Sequence, residues 1–341
     1  MVEFDMSISS EIEDISKRIY SWYKSGIKTL SITTAPLNTN IIFSDIIRHF
    51  ISNNKKILYI LGEGKEEKYL LGNILQEGRS ITHCKLEKGT GECDINFVNY
   101  KNISHIKGSY SLTIIDDIST FTTLTKDDLR SVYNTAIKMS ERIIVYSIED
   151  ITILGDKIEY TPLLYKKPFI EPRVISTRID LNKDMPYILY DYIKWFNKNK
   201  RKVIVYVPNG TALDNVYDYY INKLKLNKTL VRKISVNDKK KDLKSVLKIK
   251  DKAIFIITDF KEISIGDSNV TNAIVMFADS NEYSYRQLIY ICGQITKGSD
   301  NSSEVLFVSK DVTEVIDKVR DTSRDYNKVL WKKRLERFSA Y

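Results

Sequence analysis

Two short stretches of this chain carry residue types at a spacing suited to phosphate chemistry. They are Ala35-Pro36-Leu37-Asn38-Thr39-Asn40-Ile41-Ile42 and, about eighty residues later, Asp116-Asp117. The first lies between an apolar run (30–33) and an amphipathic one (41–50). Nucleotide hydrolases place A-P-T-G-x-G-K-T in that strand–loop–helix setting: backbone amides cradle phosphates, the lysine reaches them, and the hydroxyl meets Mg2+. Here Ala35 and Pro36 match, while Asn38 and Asn40 stand for the glycines around Thr39. Ile41 and Ile42 replace the Lys-Thr pair; aliphatic side chains offer neither cation nor hydroxyl and oppose a charged ligand by not solvating it. Asparagine tolerates left-handed backbone angles, so the turn is expected to survive. The second stretch ends the apolar run 111–115. There Asp116 is expected to face Mg2+ and Asp117 to position an attacking water.

Apolar runs alternating with amphipathic ones must position these residues. In the first half the pattern predicts a helix opened by Ser9-Ser10-Glu11 and running to Gly26. Strand 29–33, helix 41–52, strand 56–61 and helix 65–76 follow, then strands near 81–85 and 95–99. Strand 111–115, helix 126–140 and strand 142–147 complete that half. Two prolines among charged residues, Pro168 and Pro172, interrupt the pattern. Residues 166–175 therefore read as a linker between domains 1–165 and 176–341, with 173–179 extended. Alternation resumes with helix 185–197, strand 202–207, helix 213–223, strand 230–234, helix 239–249 and strand 253–258. Strand 273–277, helix 283–294, strand 304–308 and a helix from Val312 end the chain. Short, continuously apolar strands between helices imply parallel sheets covered on both faces. The expected architecture is α/β, two tandem doubly wound domains with a ligand cleft between them.

A chain of 341 residues with 43% hydrophobic and 28% charged residues can fill two cores behind a polar surface. No apolar run reaches the roughly 18–20 residues needed to cross a bilayer. The N-terminal stretch is acidic where a secretory leader would be basic and then apolar. A cytoplasmic protein without an integral membrane segment is expected. Three cysteines exclude a disulfide framework. His83, Cys84 and Cys93 lack a C-x2-C knuckle and read as isolated residues rather than a zinc site. The net charge of +9 is concentrated: residues 171–252 hold 20 basic against 9 acidic side chains, the asymmetry of a polyanion-facing surface.

Residues 171–209 resemble the linker and the start of the second RecA-like domain of ComFA, the late-competence DNA-uptake branch of superfamily 2 helicases. Residues 278–309 resemble the segment bearing that family's final helicase motif. The likeness is closest over 165–309; in the first half it rests on motif placement. The resemblance implies two tandem RecA-like domains and a P-loop NTPase fold, with a pattern of loss in the motifs. The motif linking hydrolysis to domain movement falls near Ser147-Ile148-Glu149 and keeps only its serine. In the fifth motif Thr258 and Glu262 match, while Arg and Gly become Ile263 and Ser264. In the last motif Gly293 is kept, and the two arginines are Gln294 and Lys297. Loss of an arginine finger alone costs about 10³–10⁵ in rate. Asp116, Asp117, Gln294 and Lys297 are thus vestigial on this reading.

The resemblance further implies single-stranded DNA as ligand, with Asn209, Thr211 and Thr258 as candidate contacts, and a protein partner in a DNA-uptake or helicase complex. The aromatic set Tyr187, Tyr190, Trp195 and Phe196 reads as core packing more than base stacking. The basic run 237–250 reads as a solvated amphipathic helix with Leu243 and Leu247 inward. No cofactor is required on this reading, loose Mg-ATP binding through Asp116 and the loop remaining open. The function expected is a degenerate, ComFA-like DNA-binding or scaffold component. The alternatives are an active DNA-dependent ATPase and a protein-interaction module.

Overall fold

The computed structural model describes residues 6–62, 68–75, 81–117, 124–152, 154–161, 168–226, 228–235, 238, 246–249, 251–259, 270–298 and 302–338. The chain divides into two compact units, Met1–Lys166 and Lys167–Tyr341.

The first unit opens with α1 (Met6–Ser25), whose Ile15, Ile19 and Trp22 recur at helical spacing and are buried. Then come β1 (Thr29–Thr34), a 3-10 turn at Ile41–Phe43, α2 (Ser44–Ser52), β2 (Ile57–Leu61), α3 (Lys68–Leu75) and β3 (His83–Leu86). The two-residue strands β4 (Gly89–Thr90) and β6 (Ile106–Lys107), which precede and follow β5 (Ile95–Asn99) along the chain, pair with each other in a small separate sheet. β7 (Tyr110–Asp116), α4 (Lys126–Lys138), β8 (Ser140–Ser147) and β9 (Asp156–Tyr160) complete the unit. Its seven-stranded sheet runs β3-β5-β2-β7-β8-β1-β9, parallel throughout.

Alternation along the strands divides the core between the two faces. Ile57, Tyr59 and Leu61 of β2 join the cluster under α1 and α2. Leu58 and Ile60 join the opposite cluster, where α4 contributes Leu129, Val132 and Ala136. Thr125 opens α4 with a capping box to Asp128.

The second unit contains β10 (Arg173–Ser176), α5 (Tyr187–Lys198), β11 (Lys202–Tyr206), α6 (Gly210–Asp218), β12 (Thr229–Ile234), β13 (Ala253–Thr258), β14 (Asn272–Met276), α7 (Tyr285–Gly298), β15 (Glu304–Ser309) and α8 (Glu314–Phe338). The six-stranded sheet runs β10-β15-β14-β11-β13-β12, again wholly parallel. Val203 and Val205, Phe255 and Ile257, and Leu306 and Val308 pack with α5 and α6, while α7 lies on β14 and β15.

Several expectations are revised. Helix 213–223 is α6 followed by a π-turn at Tyr219–Lys223. β9 lies beyond strand 142–147, the last element expected in the first half, and buries only alternate residues at the sheet edge. Residues 167–175 of the expected linker are part of the second unit. β10 pairs with β15, and the Asn327 amide grips Phe169 twice, accepting from its N–H at 2.7 Å and donating to its carbonyl at 2.9 Å. Most of helix 239–249, including Leu243, lies outside the described residues, as do Glu262, Ile263 and Ser264; Leu247 is buried as expected. Among the described residues no helix is long and apolar enough to cross a membrane.

Candidate functional site

The 35–42 loop leaves β1 with Ala35 and Pro36 buried and returns through the 3-10 turn into α2. The left-handed residue is Leu37 (φ 58°), and Asn40 has φ −98°, so the turn does not use the asparagines as glycine substitutes. Their amides bind within the loop instead. Asn38 Nδ2 donates to Thr34 Oγ1, and Asn38 Oδ1 accepts the Thr39 N–H at 2.6 Å. Thr39 Oγ1 accepts the Ile41 N–H at 3.2 Å, and the Phe43 N–H donates to the Asn40 carbonyl at 3.1 Å. Three amides of the loop and the turn after it thus already have oxygen partners from the chain, where a phosphate-binding loop offers its amides to the ligand. Tyr146 fastens the loop from β8, donating its hydroxyl to the Thr39 carbonyl at 2.8 Å. Ile42 points into the core and is 0% exposed, and the half-buried Ile41 carries no charge.

β7 delivers Asp116 beside this loop, in register with Leu61 of β2 and Tyr146 of β8. The carboxylate is 1% exposed. Its Oδ2 accepts the Tyr59 hydroxyl at 2.9 Å and the Asn40 Nδ2 at 3.2 Å. Burial first, and then the Asp116 charge, push the Tyr59 phenol well above its ordinary pKa of 10.0, so it remains a proton donor. Burial likewise raises Tyr146. Asp117 has φ 40° and is buried, its N–H donating to the Tyr146 carbonyl at 2.7 Å.

Mg2+ takes near-octahedral oxygen ligands. At this site Ile42 supplies no hydroxyl, and the Asp116 oxygen already holds two neutral donors. Among the described residues no group of three His, Cys, Asp or Glu side chains could hold a metal ion. The Asp116 Oδ2 is thus engaged by the chain's own donors in this arrangement. Tyr59 and Tyr146 went unnoticed in the sequence. The available signal was a tyrosine within each otherwise aliphatic strand, ILYIL and RIIVYS.

Ser147 donates its hydroxyl to the Glu149 carbonyl. In the second unit, Asn209 and Thr211 lie together at the exposed start of α6. Asn209 caps that helix through the Ala212 N–H at 3.1 Å and donates to Glu282 Oε1 at 2.7 Å. Thr258 ends β13 with its side chain 0% exposed, so it is not displayed beside the other two. Gln294 is buried in α7 and accepts from the Tyr206 hydroxyl at 3.4 Å, whereas Lys297, one turn on, is exposed. Phe196 belongs to the core, Lys194 lies over Tyr190, and the Arg201 guanidinium covers Trp195. Tyr187 is exposed.

No protein-family model and no curated protein matches this sequence. Solved structures do. The DEAD-box helicase Mss116, bound to ssRNA and AMP-PNP, superposes with a TM-score of 0.60 at 11% identity, over 92% of this chain and 75% of that one. The Mycobacterium smegmatis helicase Lhr, bound to ssDNA and AMP-PNP, gives 0.54 at 13% identity over 91% of this chain and 48% of its own. The DUF1998 helicase MrfA, bound to DNA, gives 0.50 at 12% identity over 96% and 51%. The fold is the one these helicases share, two tandem RecA-like domains. This chain spans about half the length of Lhr and MrfA.

Proposed function

We propose that this chain binds single-stranded nucleic acid on a helicase fold without depending on efficient ATP turnover. It would act as a ComFA-like component of DNA uptake beside an active helicase or uptake apparatus. The observation that carries the reading is the closed state of the phosphate-loop position. The carboxylate that would face Mg2+ is bonded by Asn40 and Tyr59, and side-chain oxygens of Asn38 and Thr39 take loop amides. Hydrolysis at such a site would require breaking this network without a lysine to reward the break.

The nucleic-acid part of the reading draws support from similar helicases bound to ssDNA or ssRNA. Charge agrees: the excess over 171–252 falls in the second unit, with Lys225, Lys228 and Arg232 exposed at and just before its edge strand β12. Asn209 is held by Glu282, and Thr258 is buried, which leaves Thr211 and the basic side chains as the phosphate contacts of this reading.

The test is anisotropy of a labelled single-stranded oligonucleotide over a salt series, without nucleotide. Binding should weaken with salt, with a slope near −0.7 per phosphate neutralised. Absence of binding at low salt overturns the nucleic-acid part.

A further inference from the structure

The last helix presents a surface that nothing in the nucleotide site or the nucleic-acid reading uses. On α8, Arg324, Lys328, Trp331 and Leu335 follow helical spacing along one stripe. Trp331 is 64% exposed and Leu335 49%, large apolar side chains that a folded surface seldom displays together. Beside them lies a groove of about 460 Å3, lined by Pro168, Glu171, Arg324, Asn327, Lys328, Leu330 and Trp331. Its frame is held from both sides. Asn327 bonds the Phe169 backbone, Glu171 pairs with Arg324 at 2.7 Å, and the Phe169 and Tyr326 rings meet edge-on with centroids 5.1 Å apart. Beyond Tyr326 the helix sequence carries Lys328, Lys332, Lys333, Arg334 and Arg337 against Glu336 alone.

We propose that this groove docks an acidic segment of a partner protein, with one large apolar side chain seated against Pro168, Leu330 and Trp331. Carboxylates of the segment would lie along Lys332 and along Lys328, there displacing the Asp325 carboxylate that Lys328 holds at 2.8 Å. An apolar floor with a charged rim is the anatomy of a protein interface, and an aromatic anchor commonly dominates its energy. Charge selects the occupant. A second copy of this chain packed in parallel on the same stripe would set Lys328 and Lys332 against themselves. A nucleic-acid strand would set phosphates near the Glu171 carboxylate at the groove wall, with Trp331 as the one aromatic face among the lining residues for a base.

The probe is a labelled synthetic peptide of Asp and Glu carrying Phe and Leu at helical spacing, with a Lys-for-acid counterpart and an oligothymidylate as comparators. Anisotropy is read on the full chain, on Trp331→Ala and on Lys328→Glu/Lys332→Glu. All three changes are at exposed positions, and circular dichroism checks the fold. The acidic peptide should bind saturably and more weakly with salt, and each variant should lose about tenfold or more. The counterpart should not bind. Three results overturn the proposal: no saturable binding of the acidic peptide, equal binding by Trp331→Ala, or oligothymidylate as the ligand whose affinity Trp331→Ala reduces.

Discussion

Replacing Tyr59 by Phe removes one oxygen and leaves the ring packed against Phe97, 5.4 Å away. The lost hydroxyl donates to Asp116 Oδ2 at 2.9 Å, inside a site where the carboxylate is 1% exposed. A hydrogen bond to a charged group stabilises by about 1.5–3 kcal/mol, and water cannot replace this donor. Asn40 remains on the same oxygen, which places the expected loss near 2 kcal/mol, about thirtyfold in the folding equilibrium. Trp22 lies buried in the first unit, so a Trp195→Phe/Trp331→Phe background makes fluorescence report that unit alone. Urea unfolding should then show a midpoint lower by about 1 M with an unchanged slope. Asn40→Ala supplies the second arm of a double-mutant cycle. Because both donors share one oxygen, the single effects should depart from additivity by at least about 0.5 kcal/mol. An unmoved midpoint, or strict additivity, would refute the closed Asn40–Tyr59–Asp116 network.

Other consequences follow from the same geometry. Ile42→Thr places a hydroxyl in the core and should cost about 1–3 kcal/mol in the same unfolding assay, without conferring ATP turnover. The raised pKa values of Tyr59 and Tyr146 mean that their contribution is complete below the unfolded value of 10.0 and is lost as pH rises above it. Stability should therefore fall above about pH 10, and fall less in Tyr59→Phe. Burial works to raise Asp150, but hydrogen bonds from Lys157, Thr152 and Ser31 outweigh it and hold the carboxyl at about 2. That contribution is present above its ordinary value of 3.8 and should vanish as pH falls toward 2, with Lys157→Met flattening the acid limb of the stability profile.

The sheets were legible because strands buried on both faces read as unbroken apolar runs. β13, AIFIIT, lies where the sequence places it, 253–258. β9 was not, since DKIEY buries only alternate residues at a sheet edge. The loop position and Asp116 were singled out from spacing, and the structure joins them through Asn40. What the asparagines do there was not legible, because a left-handed Leu37 and the reach of Asn40 across 76 residues to Asp116 are tertiary facts. Tyr59 was hidden for the same reason, its partner lying 57 residues away. Thr258 looked available after a strand, yet its side chain is enclosed where β13 lies between β11 and β12.

The most direct test of the central claim is ATP turnover by the full chain in Mg2+, with and without saturating single-stranded DNA, binding being confirmed in the same sample by anisotropy. The account predicts DNA bound and no turnover above the protein-free rate. DNA-stimulated turnover that Asp116→Ala abolishes would contradict it, and would mean that Asn40 and Tyr59 release the carboxylate to a metal ion.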